Sequence, residues 1–119
     1  MNRPFAKWWV PVYLYAGAIF ILSSISRPLP AIKIPFLDKG LHIIEYGIFG
    51  FLLARALASD SPKALKQSFR TWAIVFALLY GLSDEWHQSF VPMREASLWD
   101  VLFDGLGASI GQFFFHRWL

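Results

Sequence analysis

The sequence predicts an all-α integral membrane bundle of four transmembrane helices, with both termini on the cytoplasmic side. Three observations predict it. Of the 119 residues 56% are hydrophobic and the mean hydropathy is +0.45, above what a soluble domain usually carries. Four apolar windows, each near the roughly 20 residues that a helix needs to cross hydrocarbon, alternate with polar or proline-bearing breaks. Seven of the eight acidic residues gather toward one end of the last three windows.

The first window runs from about Trp8 to Ile25 and ends before Arg27-Pro28-Leu29-Pro30 and Pro35, because proline lacks the amide donor and restricts the residue before it. Arg3 and Lys7 precede it as they would a signal peptide. Its apolar run outlasts a signal core of about 7 to 15 residues and shows no small-x-small cleavage site, so it is expected to be retained. The second window, about Leu37 to Leu57, stops at Asp60-Ser61-Pro62, where Lys63, Lys66 and Arg70 keep the connection in water. The third, about Phe69 to Phe90, closes at Pro92 and Arg94-Glu95. Ser97 is a ready N-cap for the fourth, about Leu98 to Trp118. One domain, 1–119, holds all four.

Lys and Arg in short connections resist translocation. Arg3, Lys7, Arg55, Lys63, Lys66, Arg70 and Arg117 fall on the side of the termini, against Arg27, Lys33, Lys39 and Arg94 on the other. This places the termini inside and the first and third connections outside, as a multi-pass protein of the inner (plasma) membrane. The net charge of +3 comes without a basic stripe, which argues against a nucleic-acid partner. The absence of cysteine excludes disulfides, thiolate metal sites and cysteine nucleophiles.

The carboxylates are the functional clue. Only Asp60 lies in the cytoplasmic connection; Asp38, Glu45, Asp84, Glu85, Glu95, Asp100 and Asp104 lie toward the outward side. A charge at the centre of a membrane helix costs about 2.5 to 3.5 kcal/mol on insertion scales, so these groups are expected to face one another. Helical steps of about 100° put Asp38, His42, Glu45 and Phe49 in one stripe. Glu45 is about 10 Å deeper than Asp38 at a rise of about 1.5 Å per residue. In the third span Tyr80, Asp84 and His87 form one stripe, and Gly81, Asp84, Glu85 and Gln88 another. In the fourth, Asp100, Asp104, Gly107 and Gly111 align with Ala108 beside them; the acidic end lines a site and the glycines allow close helix packing. Trp86 and Trp99 read as interfacial anchors.

These residues resemble the VanZ-like family of bacterial membrane proteins, named for a member associated with teicoplanin resistance. The resemblance is carried by Asp38-Lys39-x-x-His42-x-x-x-Tyr46, by Tyr80-Gly81-x-x-Asp84-Glu85-x-x-Gln88-x-Phe90-x-Pro92-x-Arg94, and by Asp100-Val101-Leu102-x-x-Gly105 through Gly107-Ala108 to Gly111. It covers about 37–119; the first span matches only in being hydrophobic. Where the family pattern commonly has asparagine, this chain has Asp104, which cannot donate like an amide unless protonated. The resemblance implies a four-helix envelope protein linked to antibiotic tolerance, and no settled reaction.

The ligand-binding candidates are Asp38, His42, Tyr46, Asp84, Glu85, Gln88, Arg94 and Asp100. The acid/base candidates are Asp38, His42, Glu45, Asp84 and Glu85, and the metal-ligand candidates are His42, Asp38 and Asp84. A hydrogen-bonded knot fixing three helices is the structural alternative for the same set. Three functions stay open: an outward-facing polar site for a lipid headgroup, lipid-linked precursor or amphiphilic glycopeptide; a hydrolase or transferase on lipid-linked or phosphorylated envelope substrates; and a small proton-coupled carrier, which with so few spans would need to oligomerise. No cofactor is named by the pattern.

Overall fold

The computed structural model describes residues 3–24, 37–92 and 97–115, with side chains for 5–24, 40–92 and 97–115. These residues form five helices and no strand: α1 (Arg3–Ser24), α2 (Leu37–Ser59), α3 (Lys63–Gln67), α4 (Phe69–Gln88) and α5 (Leu98–Phe113). The four long ones overlie the four apolar windows, with α1 starting at Arg3, before Trp8, and α5 ending at Phe113, short of Trp118. α3 is an addition: the connection after Pro62 closes one short helical turn before Ser68 breaks it and α4 begins.

Each end has a local cause. α1 starts before Trp8 and carries Pro11 inside it, so the carbonyl one turn earlier, on Lys7, receives no helical hydrogen bond. At its other end Ser23 and Ser24 both donate their hydroxyls to the Phe20 carbonyl. α2 ends where Ser61 donates to Leu57 and Trp9 Nε1 reaches the Asp60 carbonyl at 2.7 Å. Ser97 caps α5, its hydroxyl accepting from the Trp99 amide. Arg70 satisfies the C-terminal end of α5, donating to Gln112 O in its last turn at 2.7 Å and to Phe115 O just beyond it at 2.9 Å, a cation at the negative end of a helix.

The helices alternate up and down, which makes α1 parallel to α4 and α2 parallel to α5. Both parallel pairs share one register, 64 residues apart: Tyr80 donates to the Ala16 carbonyl and Ser23 meets His87, while Gly47 backs onto Gly111 and Phe51 onto Phe115. The α2–α5 crossing is the tightest in the molecule. A Cβ at Gly107 would strike the Ile43 carbonyl and one at Gly111 the Gly47 carbonyl, so only glycine lets these backbones meet.

The arrangement brings the C-terminal ends of α1 and α4 together with the N-terminal halves of α2 and α5. Asp84, Glu85, Gln88, Asp100 and Asp104 are buried there, while Leu79, Trp86, Phe90, Leu98, Trp99, Leu102, Leu106, Ile110 and Phe113 are exposed. By length and composition Phe5–Ser24 and Gly40–Ser59 are apolar enough to cross a membrane. α4 and α5 fall short of that measure because they hold Arg70, Asp84, Glu85, Asp100 and Asp104, and α5 has only 16 residues.

Candidate functional site

The site begins at the α2–α5 crossing. Next to the Ile43–Gly107 contact, His42 points across to α5, where its Nδ1 lies 2.6 Å from Asp104 Oδ1 and its Nε2 lies 3.8 Å from Asp100 Oδ2. Asp100 and Asp104 stand four residues apart on one face, so a single imidazole reaches both. An ionised carboxylate only accepts hydrogen bonds. With Asp104 ionised, the short contact sets a proton on Nδ1, and Nε2 is the nitrogen that faces Asp100.

α4 supplies the second wall. Gly81, Asp84, Glu85 and Gln88 are buried as one stripe, the second of the two faces expected from spacing. The absence of a side chain at Gly81 makes room for Asp104: a Cβ there would lie 2.9 Å from Asp104 Oδ2. Glu85 Oε2 accepts from the Ser97 amide at 2.5 Å and so ties α4 to the start of α5. Its other oxygen, Oε1, is buried without a hydrogen-bond partner among the described residues, as are Asp104 Oδ2 and the Tyr46 hydroxyl. Buried polar atoms in folded proteins are nearly always paired.

Beside this cluster, α1, α2 and α4 enclose a cavity of about 300 Å³. Ser23, His42, Glu45, Asp84 and Gln88 form its polar side, and Ile19, Leu22, Leu41, Ile44 and Ile48 its apolar side. Leu22, Leu41, Ile44 and Ile48 are also exposed on the outer surface, so the apolar rim is continuous with the exterior of the bundle. Tyr15 closes the floor, donating to the Glu45 carbonyl at 2.7 Å.

The structure brings His42, Glu45, Asp84 and Gln88 to one cavity, and His42, Glu85 and Asp100 to one cluster whose ligand-capable atoms lie within 4.8 Å of one another. That cluster differs from the expected metal set, since Asp84 is outside it. Tyr46 is fully buried beneath the site, edge-on to Phe49, and does not line the cavity. The side chain of Asp38, and all of Arg94, lie outside the described residues. Two contributions were not among the site candidates. Asp104 holds the shortest contact of His42, and its alignment with Asp100 was the available signal. The first helix also contributes: it lends Tyr15 and Ser23 to the cavity, and Phe20, Ser23 and Ser24 pack on His87, the Phe20 ring 4.3 Å from the imidazole. No hydrophobic pattern could mark that role.

Carboxylates are buried beside an apolar core while leucine, tryptophan and phenylalanine side chains are exposed, and two helices, Phe5–Ser24 and Gly40–Ser59, are long and apolar enough to span a bilayer. The family model described as VanZ/LLP1 matches residues 3–119, and the chain belongs to that family. The family and the apolar helices together make it a membrane protein of the VanZ type. The match includes α1, which widens the resemblance beyond the motif-bearing 37–119. No curated protein and no solved structure matches the chain.

Proposed function

We propose that the protein crosses the plasma membrane four times and binds the donor-bearing headgroup of a membrane amphiphile in the cavity between α1, α2 and α4. The spanning of α4 and α5 is supported by their faces: both bury their acids and turn Leu79, Trp86, Leu102 and Ile110 outward, the pattern lipid imposes on helices that carry ionisable groups. The distribution of Lys and Arg supports an outward-facing cavity.

The observation that carries the binding reading is the cavity's own amphipathy. Its polar side carries the Glu45 and Asp84 carboxylates, and its apolar rim is exposed at Leu41, Ile44 and Ile48. Carboxylates accept from N–H and O–H groups. The fitting ligand therefore carries ammonium, amide or hydroxyl donors on an apolar tail. A lipid headgroup, a lipid-linked precursor and an amphiphilic glycopeptide share that chemistry, and glycopeptide tolerance is the cellular form of the same reading.

The test titrates the purified protein in nanodiscs with phosphatidylethanolamine, whose ammonium donates, and with phosphatidylcholine, whose quaternary nitrogen cannot. A charge-assisted hydrogen bond of about 1.5 to 3 kcal/mol makes the first bind about tenfold tighter or more, and Glu45→Gln and Asp84→Asn remove the preference. Equal binding of the two lipids, or variants that discriminate like the parent, would refute it. A hydrolase or transferase acting on lipid-linked phosphates is the second reading, favoured by the convergence of His42, Glu85 and Asp100. Turnover of a lipid phosphate that disappears in His42→Ala separates it from binding alone.

A further inference from the structure

We propose that His42 Nε2, one oxygen of Glu85 and one oxygen of Asp100 form a site for a divalent metal cation of the zinc class where α2, α4 and α5 meet, with Asp104 holding His42 from its other nitrogen. One imidazole and two carboxylates are a donor set that zinc accepts. Tetrahedral bonds of about 2.1 Å put neighbouring ligand atoms about 3.4 Å apart. His42 Nε2 and Asp100 Oδ2 stand at 3.8 Å, and the three groups bring one atom each within 4.8 Å of one another, so the donors need to draw together by at most about 1.4 Å to share one ion.

Two independent observations point to a cation rather than to a chance gathering of acids. Glu85 is only 5% exposed, its Oε2 is held by the Ser97 amide, and its Oε1 is buried with no hydrogen-bond partner among the described residues. The side chain is thus fixed in place with a lone-pair-bearing oxygen to spare. The second is the contact between Asp104 and His42 Nδ1 at 2.6 Å. A metal-bound histidine characteristically donates its other N–H to a carboxylate, which fixes the tautomer and raises the basicity of the ligating nitrogen. Asp104 is fully buried and touches no bulk solvent, so orienting His42 is the role its position gives it. His42 also lines the cavity, and a cation bound to it abuts whatever the cavity holds.

The metal-free alternative is a doubly protonated His42 bridging Asp104 and Asp100. Cobalt titration of the full-length protein, purified in detergent and stripped with a chelator, decides between them. The expected result is about one Co²⁺ per chain with the absorption of a bound, low-symmetry ion and a raised melting temperature. Glu85→Gln and Asp100→Asn, which keep side-chain shape, each weaken binding more than about a hundredfold and abolish the melting shift. Asp104→Asn weakens it about 10- to 100-fold while the stoichiometry stays at one. His87→Ala binds like the parent. A parent protein that takes up no cobalt, or cobalt bound equally by Glu85→Gln and Asp100→Asn, overturns the proposal. Neither outcome bears on the lipid preference read through Glu45 and Asp84, so the two proposals fail separately.

Discussion

The α2–α5 crossing makes a sharp prediction about Gly50. An alanine Cβ there would sit 2.5 Å from the Ala108 carbonyl oxygen and 2.6 Å from its Cα, where ordinary contact begins at 3.4 Å. The atoms in the way are backbone, so no rotamer relieves the clash, and the helices must part by about 1 Å. Overpacking of that kind costs about 1 to 3 kcal/mol. Alanine also stabilises a helix by about 1 kcal/mol relative to glycine, and this would blur a single measurement. Gly17 supplies the control, because a Cβ on it meets nothing within 4 Å. The propensity gain is common to both substitutions. The difference in unfolding free energy between Gly17→Ala and Gly50→Ala therefore isolates the overpacking, and Gly50→Ala should be the less stable by about 1 to 3 kcal/mol. The assay is denaturant or thermal unfolding in one detergent, followed by helical circular dichroism. Gly105→Ala should fall between the two, since its obstacle is the movable Leu78 side chain. If Gly50→Ala is as stable as Gly17→Ala, the close crossing is not where the structure puts it.

Tyr15→Phe removes the hydroxyl that bonds the Glu45 carbonyl; interhelical hydrogen bonds of this kind average about 0.6 kcal/mol in membrane proteins, and a loss beyond about 2 kcal/mol would mean the tyrosine does more than brace α1. Arg70→Gln strips the donors from the Gln112 and Phe115 carbonyls, so hydrogen exchange should quicken over the last turn of α5 while the polar end, near Asp100, stays protected; unaltered exchange there would rule out the capping role.

Much of the fold was readable because lipid is a simple solvent. Apolar windows of bilayer length, with prolines and charges between them, put all four long helices within a few residues of where they lie. The same periodicity selected the buried faces: Gly81, Asp84, Glu85 and Gln88 on α4, and Asp100, Asp104, Gly107 and Gly111 on α5. Periodicity gives faces but not neighbours. It could not show that α2 pairs with α5 in parallel, so it could not divide the polar residues between a cavity shared by α1, α2 and α4 and a cluster shared by α2, α4 and α5. Tyr46 illustrates the same limit, since it lies in a family-like segment next to Glu45 yet turns into the core. The part of α1 was illegible for a different reason. Its contributions at Tyr15 and Ser23 are single polar atoms on an otherwise apolar helix, and such atoms acquire meaning only from what stands opposite.

The glycines and the acids of α5 belong to one device. Helices ordinarily pack about 8 to 10 Å apart, and side chains at the contact set that distance. With Gly107 and Gly111 set against the carbonyls of Ile43 and Gly47, the separation collapses next to His42, and the imidazole meets Asp104 directly. At residue 104 the chain carries aspartate and not its amide. An amide offers both a donor and an acceptor and leaves the imidazole free to present either nitrogen. An ionised aspartate accepts only, so it requires a proton on His42 Nδ1 and leaves Nε2 as the nitrogen that faces Asp100. Aspartate at this position thus fixes which nitrogen can take a ligand, and the close crossing makes that restriction effective. Gly107→Ala should therefore lengthen the His42–Asp104 contact and relax the tautomer, a change that imidazole nitrogen chemical shifts would report without reference to any bound ligand; shifts identical to the parent's would show that the glycine seam and the polar cluster are independent features of the bundle.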